Sequence, residues 1–126
     1  PNLAGDIISD NGATTAGGLG LAVGGNIGDE HAMFEPIHGS APKHAGKDRA
    51  NPLAAILSMQ MMLDWLGTRH NDARLTRAAG IVEAAVAAVI KDGRTLTYDL
   101  VGEQRAAKCS EVGASVEEEI RRIAAE

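Results

Sequence analysis

Aromatic side chains are nearly missing from this 126-residue chain, since Phe34, Trp65 and Tyr98 are the whole set. With 44% hydrophobic residues, a core must therefore be built from Ala, Ile, Leu, Val and Met, which favours helices. Cysteine is almost absent too. A lone Cys109 excludes an internal disulfide framework and a multi-cysteine zinc site, and it suits a reducing compartment. Positive charge is in deficit, with 12 Lys and Arg against 17 Asp and Glu and a net charge of −5. No basic stripe alternates with aromatics, so a nucleic-acid surface is not expected. No apolar run approaches the ~20 residues that span a bilayer, and no basic-then-apolar targeting segment is visible. A cytoplasmic protein with no membrane partner is the expectation. The sequence opens at Pro1 directly on a motif, which reads as a cut through a longer chain.

Glycine is abundant, and its placement organises the first third. A short helix over Asp6 to Ala16, ended by Gly17 and Gly18, competes with a turn at Asn11-Gly12. Residues 17–31 hold Gly17, Gly18, Gly20, Gly24, Gly25 and Gly28 and predict a loop able to approach a ligand closely. Ala32 to Pro36 predicts a short strand stopped by proline, and His38 to Ala50 a second polar loop. Asn51-Pro52 marks a helix start, a capping side chain followed by proline at the first helical position. The helix that follows is apolar nearly all round, which predicts either core or a subunit interface. A second helix is predicted from Asp72 to Lys91, with Gly93 as its stop. Thr95 to Asp99 reads as extended. The last helix starts at Ser110, or at Ser115 with Glu118 in capping-box spacing. The expected total is about four helices and two short strands.

Several constellations bear on chemistry. Asp6 and Asp10 lie at i and i+4, so on a helix their carboxylates share a face and repel unless a cation sits between them. They fit either a divalent-metal pair or a solvated acidic face. Gly18-x-Gly20 is followed by Val23 where a third glycine is needed, so the Rossmann fingerprint is absent, and no P-loop exists. The stretch Glu35-Pro36-Ile37-His38-Gly39-Ser40-Ala41-Pro42-Lys43-His44 concentrates a carboxylate, two imidazoles, a hydroxyl and an ammonium around turn residues. His31 and His38 lack the spacing of a helical zinc pair. Cys109, without a cysteine partner, is expected to be inert.

Three segments, NLAGDIISD at 2–10, GGLGLAVGGNIGDEHAMFEPIHGSAPKHAGK at 17–47 and NPLAAILSMQMMLDWLG at 51–67, resemble the isocitrate and isopropylmalate dehydrogenases, the β-decarboxylating dehydrogenases. The resemblance implies an α/β fold of the isopropylmalate dehydrogenase type, not a Rossmann fold, with residues 1–126 forming part of the large domain. It implies that Asp6 and Asp10 hold Mg²⁺ or Mn²⁺, which would chelate the substrate hydroxyl and stabilise the enolate left by CO₂ loss. It further implies that Glu35 lies near the nicotinamide ribose. The adenosine half would be surrounded by His38, Gly39, Ser40, Ala41, Lys43, His44 and Asn51.

Cofactor choice turns on position 43. NAD-linked members carry an acidic residue there, whereas the ammonium of Lys43 would attract the 2′-phosphate of NADP. Tyr98 and the KCSE stretch from Lys108 resemble the NADP-linked isocitrate enzymes, which makes Tyr98 a second phosphate contact. The arginine expected four residues after it is replaced by Gly102, leaving Arg105 as a substitute. The family's catalytic tyrosine and lysine lie upstream, so no catalytic residue is expected in this segment. The expected activity is oxidation of isocitrate, a small 2-hydroxy acid, to 2-oxoglutarate with NADP, in a homodimer when whole. The alternatives are an NAD-linked isopropylmalate or homoisocitrate dehydrogenase and a non-catalytic binding or assembly fragment.

Overall fold

The computed structural model describes Asn11, Gly12, Thr15 and residues 17–126. Asp6, Asp10 and most of the helix expected over 6–16 lie outside the described residues, although Asn11, Gly12 and Thr15 are helical.

The glycine-rich stretch is not a loop throughout. Strand β1, Val23–Ile27, pairs antiparallel with β2, Ala32–Pro36, placing Val23 opposite Pro36 and Ile27 opposite Ala32. A hydrogen bond from the Gly28 N–H to the His31 carbonyl, 2.9 Å, closes the turn. Glycine weakens a strand interior, which hides β1 in the sequence. Here it serves a purpose, because a Cβ on Gly25 would meet Met61 Sδ at 3.1 Å and Phe34 at 3.4 Å. The bare backbone lets the hairpin lie against helix α1, Leu53–His70.

α1 begins as expected. The Asn51 side-chain oxygen accepts the Leu53 N–H at 3.0 Å and satisfies one of the first-turn donors that have no partner within the helix. Asn71, in the left-handed conformation at φ 51°, ends it. Helix α2, Ala73–Asp92, is capped by the Asp72 carboxylate at one end and by Gly93 at φ 70° at the other. Of its apolar stripe, Ala85, Val86 and Val89 pack with Leu53, Leu96, Val112 and Val116 into the core, and Val82 is buried as well. Close approach at the turn requires Gly67, where a Cβ would stand 2.5 Å from Thr76 Oγ1 and 2.8 Å from its nitrogen.

Two boundaries differ from expectation. Residues 95–99 are not a strand, because Tyr98–Val101 forms a single helical turn, α3. The Leu100 and Val101 N–H groups both bond the Thr97 carbonyl, at 3.0 and 3.2 Å. Helix α4, Cys109–Ala124, starts one residue before Ser110 and leaves Ser115 in its interior. Its cap comes from far away in sequence. Asp48, at φ 52°, accepts the Ser110 N–H at 2.9 Å and the Ser110 hydroxyl at 2.6 Å. The Asp48 carbonyl also accepts the Cys109 N–H at 2.9 Å. Glu111 adds its carboxylate to the Lys108 N–H at 2.8 Å. None of the described helices is long and apolar enough to cross a membrane.

Candidate functional site

The site is built around the first turn of α1. Asn51 uses both ends of its amide, since the oxygen caps the helix and the nitrogen donates to Asp99 Oδ2 at 2.9 Å. Gly20 sits directly over this pair. Its carbonyl accepts the Ala54 N–H at 3.1 Å, and a Cβ there would come within 2.5 Å of Asp99 Oδ2 and 2.7 Å of Asn51 Nδ2. The glycine loop, α1 and α3 therefore meet at a point that admits no side chain.

The polar loop after β2 folds over this junction. Ala41 adopts φ 45° and ψ 59°, a left-handed conformation that costs a residue with a Cβ about 1–2 kcal/mol. That reversal starts a single 3₁₀ turn, Pro42–His44, which brings His44 to Tyr98. The two share a hydrogen bond of 3.2 Å between Nε2 and the phenol oxygen, and their ring centroids are 5.6 Å apart. The Arg49 guanidinium lies 4.5 Å from the centroid of the same tyrosine ring and donates to Glu103 Oε1 at 2.5 Å.

Together these contacts enclose a cleft of about 360 Å³. Its wall includes His38, Gly39, Ser40, Ala41, His44, Asn51 and Tyr98, gathering most of the residues expected around a nucleotide. Leu19, Ala41 and Ala50 give apolar surface, while the hydroxyl, imidazole and amide groups rim it. Such a combination suits a flat heteroaromatic ring attached to a hydroxyl-bearing sugar. Glu35 and Lys43 are not on this wall. Glu35 is exposed on β2, and Lys43 is exposed on the 3₁₀ turn beside His44. Arg105 is exposed as well, on the turn Glu103–Arg105, and does not line the cleft. The guanidinium that the structure places at Tyr98 is that of Arg49.

Asp6 and Asp10 lie outside the described residues, among which no group of three or more His, Cys, Asp or Glu side chains is arranged to hold a metal ion. Burial and the Asp48 carboxylate push the Cys109 thiol up from its ordinary pKa, which favours its protonated form. Sequence reasoning overlooked Gly20, Asp48, Arg49 and Asp99. Asp99 adjoins Tyr98, a usable hint, but nothing local reveals that Asn51 is its partner.

The sequence matches the isocitrate/isopropylmalate dehydrogenase family over residues 1–116. The chain belongs to that family. It is 59% identical over 81 residues to the isocitrate/homoisocitrate dehydrogenase of Thermus thermophilus, covering 64% of this chain and 24% of that protein. It is 49% identical over 124 residues to subunit alpha of the mitochondrial isocitrate dehydrogenase [NAD] of Homo sapiens, covering 98% of this chain and 30% of that one. The crystal structure of isocitrate dehydrogenase from Methylococcus capsulatus superposes with a TM-score of 0.82 at 42% identity, over 93% of this chain and 32% of that one. The α/β fold of the family is thus present, but the chain spans only 24% and 30% of the length of the two curated relatives. Family members with NADP or 3-isopropylmalate in their names also match. The family comprises decarboxylating dehydrogenases that act on small hydroxy acids with a nicotinamide cofactor and a divalent metal.

Proposed function

We propose that this chain supplies the cofactor cleft of an NADP-linked enzyme that oxidises isocitrate and releases CO₂ to give 2-oxoglutarate. Asp6 and Asp10 contribute to its Mg²⁺ or Mn²⁺ site. The observation that carries the reading is the convergence of the His38–Ala41 loop, His44, Asn51 and Tyr98 on one cleft. In it the adenine lies against the apolar wall and the ribose meets Ser40 and Asn51. The 2′-phosphate faces the edge formed by Tyr98 and His44, and Lys43, next to His44 in the chain, supplies a cation that reaches it from outside the wall, a charge-assisted setting for an anion. Bound nicotinamide supplies the hydride acceptor, and these residues orient the nucleotide that carries it. We further propose a homodimer joined through α1, whose Met59 and Met62 are 45% and 38% exposed beside the half-buried Phe34 and Trp65.

Turnover of the full-length protein tests this, with NADP⁺ or NAD⁺ and with isocitrate or 3-isopropylmalate as substrate. The expected result is NADP⁺-dependent oxidation of isocitrate. A marked NAD⁺ preference would sink the argument from Lys43, and turnover of 3-isopropylmalate alone would sink the substrate. The second reading, an NAD-linked isopropylmalate or homoisocitrate enzyme, draws on Asp99. This exposed carboxylate on the cleft wall can accept hydrogen bonds from ribose hydroxyls and would repel a 2′-phosphate.

A further inference from the structure

We infer that Arg49 is a positioning residue for the dinucleotide, acting through the ring of Tyr98. The inference rests on the cleft being a dinucleotide site, and it adds a residue that is not itself on the cleft wall. Arg49 is neighbour to Ala50 and Asn51, which line the cleft, yet its own side chain turns away from it to the tyrosine face. Its guanidinium sits 4.5 Å from the ring centroid, well inside the ~6 Å range of a cation–π contact. Glu103 holds the far end of the same group at 2.5 Å. Meanwhile Nε is buried with no hydrogen-bond partner. A guanidinium placed only to maximise hydrogen bonds would not leave that nitrogen unpaired, so its position follows from the stack on the ring.

The geometry explains what fixes Tyr98. Its turn, α3, is a single one, too short to hold a side chain rigidly by itself. The ring is pinned instead by His44 at its hydroxyl and by Arg49 over its face. Each contact bridges 49 to 54 positions of sequence. Without the guanidinium the ring keeps only its contact with His44, and the wall it gives the cleft is less firmly held. A dinucleotide would then bind more weakly, while the hydride-transfer step, remote from Tyr98, would proceed at its former rate once the site is filled.

A double-mutant cycle in the full-length protein separates this role from that of a surface ion pair. The dinucleotide is whichever of NADP⁺ and NAD⁺ the wild type binds, and binding is read by calorimetry alongside steady-state kinetics. Arg49→Met is expected to raise the dinucleotide KM and Kd together, by roughly 5- to 10-fold, with kcat unchanged. Arg49→Lys, which keeps a cation over the ring, should recover most of the loss. In a Tyr98→Leu background, Arg49→Met should add nothing further. An effect of Arg49→Met that persists in full beside Tyr98→Leu overturns the inference, as does an unchanged Kd. Either result leaves the functional reading standing if the wild type binds and turns over. A wild type that binds neither dinucleotide overturns both. Glu103→Gln, which removes the ion pair but not the ring contact, should cost less than Arg49→Met; the reverse order would mark Arg49 as a mere anchor for Glu103.

Discussion

The helical body and the cleft are held together by different physics. In the body, Leu53, Val86, Val112 and Val116 from α1, α2 and α4 are packed out of water, and cohesion comes from area removed from solvent. In the cleft, few side chains are fully buried, and the walls are joined by single polar or aromatic contacts, Asn51 to Asp99 and His44 to Tyr98, backed from behind by Arg49 to Glu103. The body should therefore respond to a substitution as a cooperative whole. The cleft should lose affinity without losing the fold.

The largest expected effect sharpens the body's side of that contrast. Leu53 is 0% exposed, so Leu53→Ala leaves a cavity and should lower stability by about 2–5 kcal/mol, read as a fall in Tm and in the denaturant midpoint. A loss under about 1 kcal/mol would mean that the core does not close around α1 as described. On the cleft side, Gly20→Ala forces a methyl group into the Asn51–Asp99 pair and should weaken dinucleotide binding roughly 10-fold, with only a small change in Tm. Calorimetric titration beside thermal unfolding checks both halves. A large fall in Tm with unchanged affinity would erase the distinction between the two regions.

The smallest effect lies where the regions touch. The Ser110 hydroxyl and N–H hold the Asp48 carboxylate below its ordinary pKa of 3.8. Its contribution to stability is therefore complete above that value and is lost as pH falls through the lower folded value. Wild type and Asp48→Asn should differ by a constant amount from neutral pH down to about pH 5 and converge in stronger acid. Parallel curves throughout would show that the carboxylate charge does not matter to the cap. Urea unfolding at a series of pH values measures this directly.

The same contrast explains what could be read from the sequence. α2 was legible to within a residue at each end, because apolar spacing, Asp72 and Gly93 are all local signals. The start of α1 was legible in Asn51-Pro52 for the same reason. β1 was not, since its glycines disguise a strand whose pairing β2 alone reveals. The start of α4 misled in one of its two readings, because Ser115 and Glu118 have the spacing of a cap while the working cap, Asp48, is 62 positions from Ser110. On the cleft wall, His38 to Ala41, His44, Asn51 and Tyr98 were visible as a resemblance. Gly20, Arg49 and Asp99 were not, because each matters through a partner that only folding supplies.

Asp48 and Arg49 are consecutive, yet one side chain grips the end of α4 and the other lies on Tyr98. Only two residues further on, Asn51 is fixed at the head of α1. The segment between His44 and Asn51 is therefore held at several anchorages within a span of seven positions, although it looks in sequence like an ordinary polar loop. Most surface loops absorb an extra residue at little cost. Here one insertion would set both grips out of register at once, so the spacing of the chain is as much a part of the site as the residues themselves.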